Sequence, residues 1–168
     1  MRNSLMDRIR DAFAELTGKN KFDRMDFTLL KTMLMLAAVD GEVAEDEIAR
    51  FKDLAAKCRG YSGETFATLW DEAVRSAGYL LLQSHLLEPN ELVEAFVKEA
   101  EKDFVGEIVV GVAAERNRAF ESLERMASAD GDYSEIERAC IDALTRKVKE
   151  VREKMLAERY PRAAKFDR

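Results

Sequence analysis

The chain has little of what most enzymes and secreted proteins rely on. One histidine in 168 residues excludes an HExxH zinc site, a pair of Glu-x-x-His di-iron motifs and a three-histidine catalytic zinc. Two cysteines, and an N-terminal stretch MRNSLMDRIRDAF that is charged throughout, predict a reducing cytoplasmic setting with no signal peptide. Eight glycines and two prolines, about half the usual share, leave little turn chemistry for a β sandwich or barrel. No apolar run approaches the roughly 20 residues of a membrane span. GxxxxGK[ST], GxGxxG and GxSxG are all missing, so nucleotide-binding and serine-hydrolase readings have no starting point. A net charge of −6 argues against a nucleic-acid partner, which needs a basic face.

What is there is helical. Hydrophobic residues make up 47% and charged residues 36% of the chain, with apolar positions recurring every three or four residues. The pattern predicts an all-α, compact bundle of about seven helices. Residues 1–20 form an N-terminal amphipathic helix and linker, with Leu5, Ile9, Ala12, Phe13 and Leu16 on one face. The helical domain runs over 21–160, and 161–168 is a basic tail.

Phe22 to Val39 is apolar on most sides and predicts a central buried helix, broken by Asp40-Gly41. A helix from Ala44 to Cys58 follows, then the loop Arg59–Gly63. Another helix starts near Ser62 and passes Gly78, where a kink is possible on sequence grounds. Pro89 opens the next. Val105 to Ala129 reads as one long helix with Ile108, Val109, Val112, Phe120, Leu123 and Met126 inward, weakened at Gly106 and Gly111. The last helix, Glu135 to Arg159, carries a short heptad-like seam of Ile141, Leu144, Val148, Val151 and Met155.

The most informative feature is a repeat at an offset of 90 residues. LAAVDGEVAEDEIARF (36–51) aligns with MASADGDYSEIERACI (126–141). Each copy has a hydrophobic helix end, Ala-x-x-Asp-Gly, an acid, and Glu-x-Glu opening another helix. Two such units predict a pseudo-symmetric pair of helix-turn-helix segments. Neither is an EF-hand, because the first and third loop positions would be Leu36 and Ala38, or Met126 and Ser128, where calcium needs oxygen ligands.

The acids have two readings. Ser134 and Glu137 match a Ser-x-x-Glu capping box, and carboxylates in a first helical turn satisfy orphan N–H groups without any ligand. Yet Asp40/Asp130, Glu42/Asp132, Glu45/Glu135 and Glu47/Glu137 recur in both copies. If the two turns converge, the clustered carboxylates call for a hard divalent cation such as Ca²⁺, Mg²⁺ or Mn²⁺.

These two segments resemble the signature helix-turn-helix segments of the TerB-like family, the tellurite-resistance proteins related to the N-terminal domain of the DjlA co-chaperone. The resemblance spans about Phe22 to Val151. It implies an all-α bundle in the cytoplasm with a non-enzymatic role in metal or chemical-stress response. It also implies metal-associated positions at Asp40, Glu42, Glu45, Glu47, Asp130, Asp132, Glu135 and Glu137. No His-Pro-Asp motif accompanies it, so no J domain is present in this sequence.

Cys58 and Cys140 fall on apolar helix faces and read as buried, unreactive thiols. His85 reads as a surface residue near a helix end. Arg146 to Arg168 holds nine basic and four acidic residues, a face suited to a protein partner or a second copy, and less so to a membrane surface. The alternative to cation binding is a protein-interaction or scaffold domain, homodimeric in one form, whose acids only cap helices.

Overall fold

The computed structural model describes residues 24–41, 63–128 and 134–160. The predicted N-terminal helix, the helix from Ala44 to Cys58 and the basic tail lie outside these residues. Those described form six helices and no strand: α1 Arg24–Val39, α2 Gly63–Ser84, α3 Pro89–Glu101, α4 Phe104–Val110, α5 Ala113–Ser128 and α6 Glu135–Arg159. None is long and apolar enough to cross a membrane.

α1 is the axis of the bundle. Every residue from Thr28 to Val39 is buried, as an all-round apolar pattern requires. It packs against all five of the other helices, most extensively α2. The helix ends where Gly41 adopts φ +78°, a conformation that costs an L side chain but not glycine. Asp40 N and Gly41 N then bond back to the carbonyls of Ala37 and Ala38, at 3.3 and 3.0 Å.

α2 runs through Gly78 without interruption, and buries Ala73, Ser76, Ala77 and Leu80. Pro89 sits in the first turn of α3, where its missing N–H costs nothing. α3 turns Leu92, Phe96 and Ala100 inward.

The long helix expected over Val105 to Ala129 is instead two. Gly111 takes an extended conformation, φ −76° and ψ 163°, and closes α4. Its carbonyl accepts from Arg116 Nη1 one turn into α5, at 2.5 Å. The break keeps Ile108 and Val109 inward on α4 and Ala119, Leu123 and Met126 inward on α5. Val112, expected on the inward face, lies in the connection and is 64% exposed.

α6 has the expected bounds. Ser134 Oγ accepts from Glu137 N at 3.2 Å, capping its first turn. Ile141, Leu144 and Val148 are buried, while Val151 and Met155 pack only partly. Among the described residues Phe96 and Phe104 are the largest fully buried side chains, and Phe104 meets Phe120 edge to face with ring centroids 6.0 Å apart.

Phe104→Ala removes a filled ring site and its aromatic neighbour at once. The expected loss is about 3–5 kcal/mol in urea-unfolding free energy, against less than about 0.5 kcal/mol for a surface control such as Glu121→Ala.

Candidate functional site

The first Asp-Gly turn is the described part of the sequence-predicted site. α1 delivers Asp40 to the surface directly after the buried run Thr28 to Val39, and Gly41 turns the chain there. The end of α2 lies against this turn. A side chain grafted on Gly41 would stand 3.6 Å from Ser84 Oγ and 3.9 Å from the ring of His85. His85 is exposed, as its place at a helix end suggested. Glu42, Glu45 and Glu47 follow the turn and lie outside the described residues, as do Asp130 and Asp132.

The second copy is described from Ser134 on. Glu135 is exposed in the first turn of α6. Glu137 is buried, and its Oε1 accepts from Ser134 Oγ at 2.9 Å while Ser134 Oγ accepts from Glu137 N. That carboxylate therefore serves the helix start. Among the described residues no three Asp, Glu, His or Cys side chains gather in a way that would hold a metal ion.

A polar cluster that the apolar pattern hid sits inside the bundle. Lys31, 3% exposed on α1, donates to Asp103 Oδ2 at 2.5 Å. Asp103 Oδ1 accepts from Phe104 N at 2.7 Å and opens α4. One turn earlier, buried Glu99 accepts from Ser76 Oγ at 2.9 Å and from Lys102 Nζ at 2.7 Å. The signal was present in the sequence: Lys31 is the one charged residue between Phe27 and Val39. A lysine in such a run must find a carboxylate or remain neutral. Every buried side-chain nitrogen and oxygen among the described residues has a partner, so this cluster is closed on itself.

On the outside, α3 and α6 border a groove of about 750 Å³. The half-buried Val93, Val97, Ala139 and Ala143 line it together with charges of both signs. Lys147 bridges it to Glu101 at 3.5 Å.

Cys140 is fully buried on α6, and burial, with the Glu137 carboxylate adding to it, pushes its thiol up to about 12. This matches the inert thiol expected there; Cys58 lies outside the described residues.

No protein-family model, curated protein or solved structure matches the chain.

Two outcomes follow for the buried charges. Lys31→Met strands the Asp103 carboxylate and is expected to cost about 3–5 kcal/mol by urea unfolding. Lys31→Met with Asp103→Asn, which removes the stranded charge and keeps a capping oxygen, recovers part of that loss. For Cys140 the raised folded value means the unfolded thiol ionises first. Its contribution is intact below pH 9 and falls as pH rises from 9 toward 12, by about 1.4 kcal/mol per pH unit. In a Cys58→Ser background, pH-dependent unfolding should therefore be steeper above pH 9 than in the same chain carrying Cys140→Ala.

Proposed function

We propose that the chain is a non-enzymatic, TerB-like module of a cytoplasmic stress response, and that its Asp-Gly turns bind a divalent cation, a protein partner, or both. The supporting observation is the way Asp40 is presented. A helix buried from Thr28 to Val39 ends at a positive-φ glycine and puts a carboxylate at the surface, with Ser84 and His85 beside Gly41. A rigid support of this kind fixes the first ligand of a site without further ordering. The acids that follow in the sequence, Glu42, Glu45 and Glu47, supply the oxygen donors that Ca²⁺, Mg²⁺ or Mn²⁺ prefer. The recurrence of the same residue types at Asp130, Asp132 and Glu135 extends the reading to the second turn.

A second reading draws on Glu137. Its carboxylate is buried and bonded to Ser134, which is the behaviour of a helix cap. On this reading the module is a protein-interaction or scaffold domain whose acids hold helix starts.

Isothermal titration with Ca²⁺, Mg²⁺, Mn²⁺ and Zn²⁺ separates the two. Cation binding predicts heat with at least one ion in the wild-type chain, lost in Asp40→Asn/Asp130→Asn with little change in melting temperature. Wild-type chain that takes up none of the four ions ends the cation reading. The capping reading predicts that Ser134→Ala, which removes the hydroxyl that accepts from Glu137 N, lowers the unfolding free energy by about 1 kcal/mol.

A further inference from the structure

The outer face of α2 is patterned for a partner that the chain itself does not supply. Asp71, Arg75, Gly78, Leu82 and His85 are all exposed, and they recur four, three, four and three residues apart. That is the spacing of a helix–helix seam. Tyr79 and Leu86 flank it, so the face shows three large apolar side chains that are 44%, 58% and 69% exposed at Tyr79, Leu82 and Leu86. Gly78, at its middle, has no reason within the fold. It lies inside a regular helix with no positive φ, and a Cβ added there would meet nothing within 4 Å. A mid-helix glycine is destabilising relative to alanine, and its common use is to let another backbone approach closely.

The seam is also self-complementary. Asp71 and His85 lie seven residues before and after Gly78, while Arg75 lies three before it and Leu82 four after. Two antiparallel copies related by a two-fold axis at Gly78 therefore set the Asp71 carboxylate of each against the His85 imidazole of the other. The same operation brings Arg75 within one residue's rise, about 1.5 Å, of Leu82 along the seam and faces glycine to glycine. His85 continues the helical path past Ser84, with its N–H bonded to Leu82 O at 3.2 Å. Asp71, Arg75 and His85 make no ion pair within the chain among the described residues. A residue that meets its complement under a two-fold axis is the mark of an isologous interface.

We infer that the chain forms a homodimer through antiparallel packing of α2 on α2, centred on Gly78. His85 lies both in this seam and beside the first Asp-Gly turn, so the variants that separate dimerisation from cation binding are Gly78→Leu and Leu82→Lys, which change the seam alone.

Sedimentation velocity on the full chain over about 1–200 µM reads the assembly directly. The wild type is expected to dimerise. Gly78→Leu has room inside its own chain, so at concentrations below the dimer Kd it should melt no lower than wild type, while its dimer Kd rises by at least about tenfold. Leu82→Lys, at an exposed position, should weaken the dimer likewise. Asp71→Lys should weaken it, and adding His85→Glu to that variant should restore it, because the swapped charges still meet in the antiparallel register. A chain that stays monomeric throughout the range overturns the proposal. So does a dimer whose Kd is unmoved by Gly78→Leu or Leu82→Lys, which would place the contact on α6 or on residues before Arg24. Failure of His85→Glu to rescue Asp71→Lys overturns the antiparallel register.

Discussion

The fold depends on one requirement: from Thr28 to Val39, α1 has water on no side, yet this stretch carries a lysine. Burying an ammonium group without a carboxylate costs several kcal/mol, so the position of Asp103 decides how α1 sits. Their contact fixes the rotation of α1 about its own axis, because a small turn would aim Lys31 into the leucine and methionine side chains around it. The consequences pass outward along covalent and packed neighbours. Asp103 receives Lys31 on one oxygen and the Phe104 N–H on the other. Phe104 thereby starts α4 with its ring in the core and its edge against Phe120 of α5. A single ion pair thus couples the central helix to the corner where α3 gives way to α4 and, through one ring, to α5.

The elements best legible in the sequence were those with chemistry at their ends. Ser134 with Glu137, and the proline beyond Arg159, bounded α6; Pro89 opened α3; Asp40-Gly41 closed α1. Where ends are marked by side-chain hydrogen bonds or by positive φ, local residues decide and the sequence reveals them. Gly111 behaved differently. Periodicity continued across it, and a glycine inside a helical pattern is compatible with either a weakened helix or a break. What tips it is tertiary: both Ile108 and Leu123 must face α1 and α6, and Arg116 returns to hold the Gly111 carbonyl. The Lys31–Asp103 pair was half legible, since the sequence announced that Lys31 needed an acid but not which of many. Of the candidate site, the turn at Asp40 and the cap at Glu137 were readable from residue type and spacing; their surroundings, His85 above all, come from the folding of α2 across the end of α1.

The acidic excess divides into two populations with different duties. Asp103, Glu99 and Glu137 are inside or nearly so, each bonded to specific donors, and their charge is consumed in holding helices together. Asp71 and Glu135 are at the surface, where a carboxylate keeps its capacity to meet a cation, an imidazole or a basic side chain. The net charge of −6 is a sum over both, and only the second population is available for recognition. Sorting acids by what they already bond is therefore a better guide to binding than the density of acids along the chain.

The order of the elements along the chain carries a cost during synthesis. α1 is complete once Gly41 has been made, but among the described residues the faces that shield it belong to residues from Ala73 to Val148. At translation rates of about 5–20 residues per second, the most apolar helix of the protein waits on the order of 5–20 s for its last partners. During that interval Leu29 to Val39 is an uncovered hydrophobic segment, and shielding it on the ribosome is a demand that the finished bundle no longer shows.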